Sequence, residues 1–136
     1  MKVLVATDGS EHSMKAVQRG VEMAERGDQV TLMSVAYYVQ GDFDTMPVNI
    51  QDKLEAEARE ALQKAKAVFD AKNLPVETVL EAGLVPANLI IQKARDGKFD
   101  RIVIGSTGMS ALERILMGST ASKVVAHAPC EVTVVR

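Results

Sequence analysis

The sequence predicts a doubly wound α/β fold, a five-stranded parallel sheet with helices on both faces in three layers. Two observations carry that expectation. Short apolar runs rich in β-branched residues recur five times, and segments with apolar residues at helical spacing separate them in strict alternation. Parallel neighbours need a crossover and a helix supplies it, so this alternation selects a parallel sheet over a hairpin meander. The 136 residues fit one domain, residues 1–136, large enough to bury a core but too short for two ordinary domains.

The first strand is KVLVAT (2–7), and the polar turn Asp8-Gly9-Ser10 ends it. Ser10 is a cap signal for a helix carrying Met14, Val17, Val21 and Ala24 on one face, and Arg26-Gly27 stops it. VTLMSVA (30–36) is the second strand. YYVQGDFDTMPVN (37–49) has no period and exceeds an ordinary connection, which marks a loop over the carboxyl end of the sheet. Ile50, Leu54, Ala58, Ala61, Ala65 and Phe69 form the apolar stripe of a second helix that ends before Asn73-Leu74-Pro75. VETVL (76–80) is the third strand. Pro86 opens a third helix through Leu89, Ile90 and Ala94, which closes near Gly97. RIVIG (101–105), a fourth helix from Ser119 to Ala126, and EVTVVR (131–136) complete the series.

Composition narrows the function. With 47% hydrophobic and 25% charged residues and no apolar run long enough to span a bilayer, the chain reads as a soluble protein with no membrane partner. A net charge of −2 without a basic block gives no electrostatic reason to expect nucleic acid. The start MKVLVATDG is too short for a signal-peptide core, and the single cysteine, Cys130, excludes an internal disulfide and any multi-cysteine metal site. A cytoplasmic protein is expected.

Two polar turns concentrate the chemistry. Strand one runs into Ala6-Thr7-Asp8-Gly9-Ser10 and strand four into Gly105-Ser106-Thr107-Gly108. In the strand order 3-2-1-4-5 these strands are neighbours at the point where the winding reverses, and both turns line the crevice where such sheets bind ligands. Glycines at 105 and 108 permit positive φ and close approach of backbone to a ligand. Gly118-Ser119 starts a helix whose unpaired amides and positive dipole end favour an anion. Between the two turns, Leu112, Ile115 and Leu116 lie on one face of an apolar plug, 109–117, that can pack on the domain and hold both halves of a phosphate cradle together.

The spacing Gly105-x2-Gly108-x9-Gly118-Ser119, with ATDGSEHS (6–13) and HAPCEVTVVR (127–136), resembles the universal stress protein family, in its ATP-binding subgroup. The resemblance covers the whole chain. It implies an adenine-nucleotide α-hydrolase-like sheet of order 3-2-1-4-5, ATP as ligand, and a stress-response regulator that acts through nucleotide-dependent protein interactions with an unknown protein partner. Carried over by position, Ala6, Thr7 and Asp8 lie against adenosine and ribose, with Asp8 also a ligand for Mg²⁺. Val35 offers its backbone to the adenine edge. Gly105, Ser106, Gly108, Gly118, Ser119 and Thr120 wrap the phosphates. Three positions depart from the family pattern. Met109 follows the second glycine where a basic residue is common, Ala121 replaces a hydroxyl, and Gly83-Leu84-Val85-Pro86 replaces Gly-Asp-Pro. The resemblance also implies a homodimer through the last strand, 131–136, whose apolar edge has backbone groups to pair.

Other nucleotide-site patterns do not fit. Gly118-x4-Lys123 has the lysine of a P-loop without its second glycine, no dinucleotide fingerprint follows strand one, and the acids of a response-regulator receiver are missing. His12 lies in the first turn after Asp8 within reach of a ligand, with a capping role as the plainer reading. His127 reads as a turn residue and Cys130 as buried structure. No nucleophile, base and orienting group come together, so no catalytic residue is assigned. Two alternatives stay open: a slow ATPase using Asp8 and Mg²⁺, and a nucleotide-free dimeric interaction domain. The loop at 37–49 and the plug are the expected reporters of nucleotide state.

Overall fold

The computed structural model describes residues 1–37, 49–107 and 117–136. Strands β1 (Lys2–Ala6), β2 (Gln29–Tyr37), β3 (Glu77–Gly83), β4 (Arg101–Gly105) and β5 (Glu131–Val135) form one sheet. All four pairings are parallel, and the order is β3-β2-β1-β4-β5. Helices α1 (Glu11–Glu25), α2 (Ile50–Asp70), α3 (Pro86–Asp96) and α4 (Ser119–His127) fill the crossovers. The five strands, four helices and strand order are those expected.

The pleat divides the apolar residues between two cores. Val3 and Val5 of β1 point to one face and pack with Val17 and Val21 of α1 and with Leu62, Ala65 and Phe69 of α2. Leu4 and Ala6 point to the other face and meet Ile90, Ile91 and Ala94 of α3 and Val124 of α4. A strand covered on both faces must be apolar at every position, which is why β1 and β4 read as continuous runs rather than as alternations.

Strand ends differ from the expectation where pairing, not composition, sets them. β3 extends to Gly83, because Glu81, Ala82 and Gly83 continue the ladder against Val35, Ala36 and Tyr37 of β2. Thr7 falls outside β1, although its amide still donates to the Met33 carbonyl at 2.9 Å. Ser10 caps α1 as expected, its hydroxyl accepting from the Ser13 amide.

The amino ends of the strands carry a separate set of charges. The Lys2 ammonium donates to the Gly97 carbonyl at 2.6 Å and lies 4.7 Å from the Phe99 ring centre, while Arg101 pairs with Glu131 at 2.8 Å. These cations hold the end of the sheet opposite the turns at Asp8 and Ser106. Among the described residues, no helix is long and apolar enough to cross a membrane.

Candidate functional site

At the carboxyl ends of β1, β2 and β4 lies a cleft of about 550 Å³, a size common for small-ligand sites. Ala6, Thr7, Asp8, Val35, Gly105, Ser106, Gly118, Ser119 and Thr120 all line it. Gly108, the 109–116 portion of the plug and the loop at 38–48 lie outside the described residues.

The first lip is the turn after β1. Gly9 takes φ +83°, the left-handed conformation that glycine enters without steric cost, and the Asp8 carboxylate accepts from the Ser10 amide at 2.9 Å. Ser13 braces this turn from α1. Its hydroxyl hydrogen-bonds Thr7 Oγ1 at 2.9 Å, accepts from the Asp8 amide at 3.3 Å and can donate to the Ser10 carbonyl at 3.0 Å.

The second lip joins β4 to α4. The Gly118 amide donates to the Ser106 carbonyl at 2.6 Å, and the Ser106 amide donates to the Val135 carbonyl at 2.7 Å. Two segments far apart in sequence are therefore held together by a backbone hydrogen bond. Gly118 and Ser119, at the start of α4, therefore stand beside the β4 turn.

The structure corrects the physical reason for Gly105. Among the described glycines only Gly9 and Gly27 have positive φ. Gly105 lacks a side chain because α1 occupies its space: an added Cβ would lie 2.7 Å from the carbonyl carbon of His12, 2.8 Å from its oxygen and 2.9 Å from the Ser13 nitrogen. Its role is to let the first turn of α1 sit against the end of β4, and so to bring the two lips to a common base.

Polarity divides the cleft. The β2 and α2 side carries the apolar Met33, Val35, Leu54 and Ala58, with Ser34 and Glu57 among them, and the side of the β1 turn, the β4 turn and α4, the polar half, carries Thr7, Asp8, Ser106, Thr107, Ser119 and Thr120. α4 opens into the polar half. Gly118 is its N-cap and no side chain caps it, so the amides of its first turn have no partner within the helix. Such amides, at the positive end of the helix dipole, form an anion site. The only charged side chains among the described lining residues, Asp8 and Glu57, are both acidic.

Sequence reading missed the α2 wall. Leu54 and Ala58 sit on the apolar stripe and look like core, yet together with Glu57 they line the cleft. The detectable signal was position: these residues follow the loop at 37–49, so the first turns of α2 stand at the same end of the sheet as Asp8. His12 also proves to be placed specifically. Its Nδ1 hydrogen-bonds Thr107 Oγ1 and lies 3.5 Å from Ser106 Oγ, although the ring does not itself line the cleft.

No group of three or more His, Cys, Asp or Glu able to hold a metal occurs among the described residues. Asp8, an acid at the polar end, suits a hard divalent ion that keeps most of its ligands as water and phosphate oxygen.

A five-stranded parallel sheet of order β3-β2-β1-β4-β5, with helices in its crossovers and a cleft at its switch point, defines a doubly wound α/β protein by class. The particular family follows from comparison: a profile of the universal stress protein family matches residues 1–136, and the chain belongs to that family. A universal stress protein of Methanocaldococcus jannaschii is 34% identical over 139 residues, covering 99% of this chain and 81% of its own. The universal stress protein UspA of Lactobacillus plantarum superposes with a TM-score of 0.87 at 30% identity, over 100% of this chain and 97% of that one. A universal stress protein crystallised in complex with cAMP shares the fold, with a TM-score of 0.73 at 23% identity over 100% and 97% of the two chains.

Proposed function

We propose that the cleft binds ATP together with Mg²⁺, and that the protein is a stress-response regulator whose nucleotide state alters its interactions with other proteins. One observation carries this reading: the start of α4, tied to the β4 turn by the Gly118–Ser106 hydrogen bond, shares one cleft with the apolar Met33 and Val35 of β2 and Leu54 and Ala58 of α2. A nucleotide has the same division, with a flat base at one end and oxygen anions at the other. In this reading the base lies along Val35, the ribose against Ala6, Thr7 and Asp8, and the phosphates against Gly105, Ser106, Gly118, Ser119 and Thr120. Gly108 joins them by family resemblance alone. The cAMP complex of a relative agrees with a nucleotide as the class of ligand.

Charge supports a metal as co-ligand. A triphosphate entering a cleft whose described charges are Asp8 and Glu57 meets like charge, so affinity has to come from backbone amides and from a cation that travels with the phosphates. In this reading Asp8 holds that cation. Bound Mg²⁺ would supply charge neutralisation and fix the phosphate geometry. No described residue completes a hydrolytic set with Asp8, so occupancy rather than turnover is the signal.

Isothermal titration with ATP, adenosine and inorganic triphosphate, each with and without Mg²⁺, tests the reading. It predicts that ATP binds more tightly than either fragment and only weakly when EDTA is present. Equal affinity for ATP and adenosine would overturn the phosphate assignment. A cytoplasmic homodimer paired through the last strand, 131–136, completes the proposal. Its support is a terminal β5 strand with one neighbour in the sheet and half-buried Val132, Val134 and Val135. Sedimentation at micromolar concentration should give twice the chain mass, and a monomer would remove the dimer.

A further inference from the structure

His12 stands behind the wall of the cleft, with Thr107 and Ser106 between it and the opening. The ring sits in the first turn of α1, with Nδ1 hydrogen-bonded to Thr107 Oγ1 and 3.5 Å from Ser106 Oγ. Thr107 and Ser106 are buried and line the cleft, and His12 does not. The backbone beneath the ring is fixed on both sides. Its carbonyl lies against Gly105, and the next residue, Ser13, is hydrogen-bonded to Thr7 Oγ1 and to the Asp8 amide.

The consequence is chemical. A threonine hydroxyl has one proton and two lone pairs. When Nδ1 is bare, Thr107 commits its proton to the ring and offers the cleft only lone pairs, which disfavour an anion. When Nδ1 carries a proton, the ring donates to Thr107 Oγ1, and the hydroxyl proton is released to donate into the cleft. The change moves one proton from solvent to Nδ1 and reverses the direction of one hydrogen bond.

We propose that His12 is a positioning residue for the anionic part of the ligand: protonated at Nδ1, it turns Thr107 from an acceptor into a donor toward the cleft, so that binding the phosphates takes up a proton. The inference rests on the nucleotide reading above and extends it to a device that makes occupancy respond to pH. No cationic side chain lines the described part of the cleft, so a donor supplied through Thr107 adds to the amides and hydroxyls already there. The charged groups next to the ring along the chain are Asp8 in the β1 turn and Glu11 and Lys15 on α1, and Arg136 follows the Val135 whose carbonyl accepts from the Ser106 amide. All four are retained in the variants below, so differences between proteins report on the ring.

The test is calorimetry of the full chain with Mg-ATP and with adenosine at about pH 8 and about pH 6, the interval in which imidazoles gain a proton. Each titration is run in two buffers of different ionisation enthalpy, which reveals the protons taken up. Three proteins are compared: wild type, His12→Asn, whose amide can donate to Thr107 at every pH, and His12→Phe, which makes no such bond. Wild type should take up more protons on binding Mg-ATP than either variant. Its affinity advantage over His12→Phe should grow on the order of tenfold between pH 8 and pH 6, the worth of one charge-assisted hydrogen bond. His12→Asn should retain Mg-ATP binding with a flat ratio to His12→Phe, and adenosine affinity should be alike in all three.

Equal proton uptake by wild type and His12→Asn, with binding intact, would overturn the inference, because a neutral ring already protonated at Nδ1 orients Thr107 without a proton from solvent. A parallel loss of adenosine and Mg-ATP affinity in His12→Phe would overturn it too, by showing a role in packing alone. Failure of all three proteins to bind Mg-ATP would remove the nucleotide reading and this inference with it.

Discussion

The place where Gly105 would carry a Cβ lies 2.7 Å from the carbonyl carbon of His12, closer than a side-chain carbon can approach a backbone. Because that contact is backbone on both sides, no rotamer change relieves it. Gly105→Ala must push the first turn of α1 away from the end of β4, and the two lips of the cleft part with it. The expected cost is about 1–3 kcal/mol of stability from overpacking, measured by urea unfolding, with a loss of ATP affinity at temperatures where the variant is folded. Gly27→Ala is the control. It is strained by its φ of +100°, but an added Cβ meets nothing within 4 Å and the site is the far end of α1, so stability falls while ATP affinity holds.

The bond between Thr7 Oγ1 and Ser13 Oγ couples the first lip to α1 inside the protein, where both residues are about 5% exposed. Thr7→Val and Ser13→Ala should each destabilise by roughly 1–2 kcal/mol. The double variant should cost less than the sum by about 1 kcal/mol, since either substitution removes the same interaction. Additive losses in the unfolding free energies would show that the two hydroxyls act independently.

Asp8 and Glu57 carry the same charge into the same cleft but have different predicted roles. Asp8→Asn should weaken Mg-ATP on the order of tenfold by removing a ligand of the cation, and should leave adenosine unaffected. Glu57→Gln removes a negative charge without removing a ligand, so ATP measured in EDTA should bind more tightly than to wild type. Titration calorimetry of both variants separates the cases, and identical responses would mean that Asp8 acts only as a charge.

The acidity of Cys130 is displaced. Burial first, then the negative charges of Asp100 and Glu131, push its thiol up. An acid whose folded pKa is raised prefers to stay protonated in the folded state. The stability this contributes is therefore present below the ordinary thiol range and lost as pH rises through the folded value. Alkylation by iodoacetamide at pH 8 should be several-fold slower in the native protein than in urea, because the thiolate is the reactive form. Equal rates would contradict the shift.

The fold was legible because its determinants are local. Runs such as RIVIG and stripes such as Leu54, Ala58, Ala61 and Ala65 announce their period, and strict alternation leaves few topologies open. The lips of the cleft were legible through Asp8-Gly9-Ser10 and Gly118-Ser119, which are turn and helix-start chemistry. What could not be read depends on contacts between distant segments. Gly105 looked like a residue chosen for its dihedral angles, and only the arrival of α1 shows that it is chosen for space. The Gly118–Ser106 bond and the approach of His12 to Thr107 join residues far apart in the chain, with no periodic trace in sequence. The α2 wall was hidden for a different reason, since Leu54 and Ala58 continue the same apolar stripe that Leu62, Ala65 and Phe69 bury in the core.

The most direct test of the central claim, that the uncapped start of α4 and the β4 turn together hold the phosphates of a nucleotide, is a ¹H–¹⁵N correlation spectrum of the protein titrated with Mg-ATP. The amides of Ser106, Thr107, Ser119 and Thr120 should shift in a saturable manner, with Val35 responding to ATP and adenosine alike and the α4 amides to ATP alone. A spectrum that does not change, or whose changes centre on the separate groove between α3 and α4 at Asn88, Arg95 and Lys123, would contradict it.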